Sequence, residues 1–276
     1  MFLRMSDALQ RNGVDLWLNL PVFYDKIFLE ANSEYYSITS KGRKAIHDWC
    51  HFVCPNRPDY ITNMINEKMT LVERFQPAMV SLDFIRHFVF WELVDLNWSP
   101  DNIEDGCYCV ICLDAFAKIL EKPIPSASPS EFIRTHALKE WGYWKIQRVT
   151  NTANLIINML HVVSPDSKIW IKTVPWKNND LDGAIINSVG QDILALGKLV
   201  DGISPMTFTH MLRQTPEWKE ALLSNVKITI GKPVISYLQL EKVYRTEEIP
   251  LKQFEDELKA GLEAEQRLCR HFDLLL

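Results

Sequence analysis

The chain is expected to fold as an α/β protein of the TIM (β/α)8 barrel type, and three observations lead there. Short β-type runs alternate with longer stretches of helical periodicity, the pattern of a parallel sheet with covering helices. The last four of six candidate strands begin at residues 168, 200, 232 and 271, intervals of 32, 32 and 39 residues. Each interval is the length of one strand, one helix and two loops. The composition, 276 residues with 47% hydrophobic and 24% charged, is that of a soluble globular chain able to bury a full core.

The six candidate strands are 14–23 (VDLWLNLPVF), 78–86 (AMVSLDFIR), 168–175 (KIWIKTVP), 200–208 (VDGISPMTF), 232–239 (KPVISYLQ) and 271–276 (HFDLLL). Residues 132–163 carry apolar side chains three and four apart, from Trp141 and Trp144 to Leu160, and predict one or two helices closed by a turn at Pro165. Ser130, in SPSEF, is placed to cap them. Residues 186–199 and 251–269 read as amphipathic helices, the second with Glu255, Glu257, Lys259 and Glu263 on its wet face. Pro123, Pro125 and Pro129 mark a linker too short to divide the chain into independent domains. The expected organisation is one barrel domain over 1–276 with a Cys-rich insertion around 87–130.

Six strands are two fewer than the eight of a complete barrel. Either two hide in the insertions, for instance around 34–38, or the barrel lacks its first two strands in this chain. The second reading is preferred, because residues 1–12 resemble a helix running directly into the first visible strand.

Charge and motif content narrow the function. A net charge of −5 with no long basic run argues against a nucleic-acid partner. No apolar run approaches the roughly 20 residues that span a bilayer, so no membrane partner is expected. The first residues lack the apolar core of a signal peptide, so the chain as written is expected to be cytoplasmic. Six cysteines in a chain of this length do not form a disulfide scaffold, which also suits a reducing compartment. A phosphate-cradling glycine loop, a nucleophile-elbow serine and a closely spaced histidine pair are all missing from the sequence.

Barrel chemistry sits at the C-terminal ends of the strands, so inward-facing polar residues there are the candidates. Alternation in 78–86 sends Val80, Leu82 and Phe84 outward and Ser81 and Asp83 inward. Asp83 is either catalytic or a buried carboxylate paired with Arg86 or Lys172. Glycoside hydrolysis usually needs a second carboxylate, and Glu92, nine residues on, is the nearest, with a surface loop glutamate as the alternative. Asp25, Asp201 and Glu241 also fall at plausible strand ends. Asn19 and Gln239 suit a hydroxyl-rich ligand, and Tyr237 is placed inward with Gln239. His210 is a ligand-binding or a plain loop histidine. Tyr24, Trp91, Phe90 and Phe208 could stack on sugar rings or fill a core. Cys107, Cys109 and Cys112 form C-x-C-x2-C, and with Cys54 they would complete a closed structural zinc site. Free thiols are the alternative.

These blocks together resemble a family of glycoside-hydrolase-like barrels. The segment from CPNRP through LDFIR matches its "CP-x-x-P", helix and "lDyiR" strand, and GCYCVICLDAF is similar to its Cys-rich insertion. VDGISPMTF is similar to its "vD.isPM.Y" strand, with Phe208 where a tyrosine is usual. The resemblance spans residues 10–276. It implies that the visible strands are the third to the eighth, and it marks Asp83, Arg86, Asp201, Met206 and Gln239.

The function expected is hydrolysis of oligo- or polysaccharide glycosidic bonds. Asp83 would be the nucleophile or base and Glu92 the acid, with Asn19, Tyr24, Arg86, Trp91, Met206, His210 and Gln239 around the sugar. No cofactor is required beyond the structural zinc, and the partner is a carbohydrate. The alternatives are a non-catalytic barrel that binds carbohydrate or a protein partner, and a metal-dependent hydrolase.

Overall fold

The computed structural model describes residues 8–9 and 11–266. Its centre is a sheet of four parallel strands, β1 (Trp17–Pro21), β4 (Met79–Asp83), β5 (Lys168–Thr173) and β6 (Gly202–Pro205), adjacent in that order. Asn19 lies opposite Ser81 and Pro21 opposite Asp83, while Ser81 faces Trp170 across the next ladder. Four of the six expected strands are therefore present. Residues 232–239 join β6 through a single parallel bridge, Ile203 to Val234. Pro233 has no N–H to donate, which helps to keep that run from extending its ladder. The run expected at 271–276 lies outside the described residues. Residues 34–38 hold no barrel strand: a 3-10 turn at Ser33–Tyr35 is followed by isolated antiparallel bridges of Tyr36 to Val53 and Ile38 to Lys44.

Between β1 and β4 the chain makes α1 (Lys26–Ala31), a hairpin of β2 (Ile46–His47) and β3 (Cys50–His51), and α2 (Pro58–Phe75). Pro58 begins α2, where its missing N–H costs nothing. Tyr60, Met64, Ile65, Met69 and Val72 form its buried face, and Gln76 ends it at φ 40°.

The insertion between β4 and β5 carries α3 (Val110–Leu120), α4 (Pro129–His136) and α5 (Leu138–Val163). Ser130 does not cap this helical stretch. It lies inside the first turn of α4 and donates to the Ser40 carbonyl, while Ser128 holds the cap position. Trp141, Trp144, Val149, Ile156 and Leu160 turn inward along α5.

The helix expected over 186–199 is broken. A π turn at Ile185–Val189 meets Gly190 at φ 75°, and α6 (Ile193–Leu199) restarts with Asp192 accepting from the Ala195 amide. A Cβ on Gly190 would stand 3.0 Å from Lys145 and 3.1 Å from His87. Close approach to α5 requires the break. After β6 come α7 (Thr209–Leu212), α8 (Pro216–Ile230) and α9 (Leu251–Gln266).

Glu257, expected on the wet face of α9, is 1% exposed. Lys219 of α8 reaches it at 3.4 Å and the Thr209 hydroxyl donates to it. Packing of α9 on α8 buries a position that helical periodicity alone marks as polar. Among the described residues no helix is long and apolar enough to cross a membrane.

Candidate active site

Asp83 is the last residue of β4, and two-residue periodicity puts it on the same face as Ser81. Its carboxylate accepts from Asn19 Nδ2 at 3.0 Å, Lys172 Nζ at 3.1 Å and the Phe84 amide at 2.8 Å. Ser81 donates to Asn19 Oδ1 at 2.7 Å and so orients the amide that addresses Asp83. The ion pair with Lys172 is the partner anticipated for a buried aspartate, whereas Arg86 is committed elsewhere.

Outward alternation stops at Asp83. Phe84 has φ 51°, a conformation costly for a bulky residue. Its ring therefore leaves the expected outward row and stacks on Tyr24, centroids 4.9 Å apart, at the mouth of the sheet.

Glu92 sits in a one-turn 3-10 helix, Trp91–Leu93, and is 7% exposed. It is therefore not a surface glutamate. Burial lifts its carboxyl to about 7, Asp83 adds to the rise and Arg86 opposes it. Arg86 is fully buried, donates to the His87 and Val89 carbonyls at 3.2 and 2.8 Å, and lies over the Phe52 ring. Burial also pushes the neighbouring Cys50 thiol up to about 12.

The remaining candidates divide by what holds them. Tyr24 is half-buried beside Phe84, and buried Trp91 stacks with Phe208 at 6.4 Å. Met206 follows β6 and is half-buried. His210 is 4% exposed, and its carbonyl accepts from Arg245. Gln239 has both ends of its amide engaged by backbone, accepting from the Met211 amide and donating to the Glu241 carbonyl. Asp25 caps α1 by accepting from the Phe28 amide. Asp201 accepts from the Ile169 amide at 2.8 Å and precedes β6, which puts it at the opposite end of the sheet from Asp83. Glu241 is exposed.

Residues that sequence reasoning did not single out also stand here. Asp48 and Trp49 form the tip of the β2–β3 hairpin, and Trp49 Nε1 donates to the Tyr244 hydroxyl at 2.7 Å. That hydroxyl donates to Asp48 at 2.9 Å. The sequence signal was slight: an aspartate at a tight turn tolerates positive φ, but nothing local links residue 49 to residue 244.

The sulfurs of Cys54, Cys107, Cys109 and Cys112 all lie within 4.8 Å of one another. Cys54 follows β3, Cys107 and Cys109 precede α3, and Cys112 falls in its first turn. Cys54 Sγ stands 3.4 Å from Cys112 Sγ and 3.5 Å from Cys109 Sγ. A tetrahedral zinc with bonds of about 2.3 Å holds its sulfurs about 3.8 Å apart, so the donor set suits that ion. The Asn56 and Ile38 amides point at Cys54 and Cys107, and Trp141, Trp144 and Phe116 enclose the cluster.

No family profile and no curated protein matches the chain. Solved structures do. The glycoside hydrolase domain of PgaB (BpsB) from Bordetella bronchiseptica is similar with a TM-score of 0.67 at 15% identity, over 93% of this chain and 70% of that one. The β-galactosidase of the Antarctic haloarchaeon Halorubrum lacusprofundi gives 0.64 at 12% identity, over 95% of this chain and 44% of that one. That of Marinomonas ef1 gives 0.60 at 11%, over 96% and 51%. The fold is thus a glycoside-hydrolase-like barrel, and the chain spans about half or less of these galactosidases' length.

Proposed function

We propose that the chain is a glycoside hydrolase acting on an oligo- or polysaccharide, with Asp83 and Glu92 as its carboxylate pair. The observation that carries this reading is the unequal environment of two carboxyl groups, Asp83 at the C-terminal end of β4 and Glu92 in the insertion that follows it. Asp83 accepts three hydrogen bonds, one from a lysine, whereas Glu92 is buried and pushed up to about 7. Environments that differ in this way separate an acid from its partner.

Glu92 gives its proton to the glycosidic oxygen as the bond to the anomeric carbon breaks. Asp83 meets the developing positive charge, as nucleophile or as the base that activates water. Lys172 and Asn19 hold its carboxylate in place, and Tyr24 and Phe84 wall the mouth. The similarity of fold to glycoside hydrolases supports the substrate class.

The test is turnover of aryl glycosides and oligosaccharides by the full chain, by Asp83→Asn and by Glu92→Gln. Each substitution should cost about 10^2- to 10^4-fold. The loss in Glu92→Gln should shrink for a dinitrophenyl leaving group, which needs no proton. Equal turnover in Asp83→Asn would overturn the assignment. A second reading, a carbohydrate-binding barrel without turnover, is favoured by the commitment of Asp83 to Lys172. It predicts retained binding with no hydrolysis in any variant.

We further propose a structural zinc at Cys54, Cys107, Cys109 and Cys112. Four protein ligands leave no open position, so the ion would fasten the insertion to the loop after β3.

A further inference from the structure

The tip of the β2–β3 hairpin carries an exposed aromatic group that the proposed chemistry does not use. Trp49 is 40% exposed and Tyr244 37%. Both are fixed despite that exposure. The indole N–H donates to the Tyr244 hydroxyl, which donates in turn to Asp48. Phe84 and Phe90 meet Trp49 edge-on at 5.9 and 6.3 Å, and Tyr24 is tilted against it at 6.0 Å. Among the described residues no ring lies parallel on the indole.

The position is equally specific. Phe84 is the neighbour of Asp83 in sequence, Phe90 lies two residues before Glu92, and the charge of Glu92 is felt at Tyr244. The backbone is strained here as well. Asp48, Phe84 and Tyr244 have φ of 50°, 51° and 56°. The other described non-glycine residues at positive φ close helices, as Gln76, Glu121 and Arg213 do, or lie in the turn at Leu181 and Asp182. Two strained aromatic residues, Phe84 and Tyr244, converging with the tip residue Asp48 on one exposed indole next to Asp83, mark a place shaped for a ligand.

A flat, rigid aromatic face edged by a phenol and a carboxylate fits the apolar face and flanking hydroxyls of a pyranose ring. We propose that Trp49, clamped by Tyr244 and Asp48, is the stacking platform of a saccharide subsite beside Asp83 and gives the site its preference for longer chains. This rests on the glycoside-hydrolase reading for the identity of the ligand, and on the hairpin geometry for its position.

Direct binding tests the platform apart from the chemistry. A ladder of neutral oligosaccharides from disaccharide to hexasaccharide is titrated calorimetrically into the full chain, Trp49→Ala, Trp49→Phe and Tyr244→Phe, with thermal melts to check folding. The expected result is a loss of about tenfold in Trp49→Ala that grows with chain length, largely restored in Trp49→Phe. Tyr244→Phe, which keeps the ring but removes the clamp, should lose less. Binding without hydrolysis would support the platform while removing the hydrolase reading. Hydrolysis by the parent chain with equal affinity in Trp49→Ala would overturn the platform and leave the hydrolase reading standing. Failure of every saccharide to bind the parent chain would overturn the platform.

Discussion

At the scale of single residues, the behaviour of Glu92 is the most exposed to measurement. Its carboxyl is raised from 4.5 to about 7, with burial as the main cause. The folded state therefore favours the protonated form. The stability this contributes is complete below about pH 4.5 and is lost as pH rises through about 7, on the order of 3 kcal/mol in all. Urea unfolding at about pH 5 and about pH 8 should show this fall in the parent chain and a smaller one in Glu92→Gln. Parallel slopes in the two proteins would count against a buried, neutral Glu92. Activity should share the same alkaline limb, because the acid is lost with its proton. Nothing in the sequence near Glu92 announces this shift. The residue sits among Trp91, Leu93 and Val94, and the low dielectric comes from chain folded over it, with Asp83 adding to the rise and Arg86 opposing it.

At the scale of elements, the cysteine cluster ties α3 to the loop after β3. Removing an ion bound at these four cysteines would leave their thiolates crowded together, and metal-binding energy is folding energy in such sites. Dialysis against a strong chelator should lower the melting temperature, with one zinc lost per chain by mass spectrometry, and Cys112→Ser should do the same. An unchanged melt after complete metal removal would dismiss a structural role. Three of the four cysteines were legible in C-x-C-x2-C spacing. Cys54 could be proposed from sequence, but its approach to within 3.4 Å of Cys112 depends on the hairpin that returns the chain beside α3. The strands show a similar division. Alternation in β4 separates Val80 and Leu82 from Ser81 and Asp83, although both of its faces are buried. In 232–239 the same alternation has Pro233 within it, and only one bridge forms.

At the scale of the whole molecule, buried charge pairs join distant regions of the chain. Lys145 of α5 pairs with Asp105 of the insertion, and Lys219 of α8 pairs with Glu257 of α9, all four being at most 8% exposed at the side chain. Breaking such a pair from one side leaves a buried charge and costs about 3–5 kcal/mol. Lys219→Met should lower the free energy of urea unfolding by that order, and the double variant Lys219→Met with Glu257→Gln should recover most of it. A double variant as unstable as the single one would show that packing of the lysine stem, rather than its charge, holds α9 in place. Sequence reading placed Glu257 in water because a helical wheel has no record of a neighbouring helix. It placed Asp201 among the strand-end candidates, whereas Asp201 directly precedes β6 and so lies at the N-terminal end of the sheet, away from Asp83.

Backbone periodicity is local, and what it determines can be read from a few neighbouring residues: an α/β chain with parallel strands, Asp83 and Ser81 on one face, and three cysteines at ligand spacing. Which distant groups meet is decided by the packed chain. Trp49 and Tyr244, 195 residues apart, share a hydrogen bond, Lys172 reaches Asp83 across a ladder, and Glu92 loses its water. Contacts between distant residues and the removal of solvent depend on how the whole chain folds back on itself, so no local pattern in the sequence encodes them.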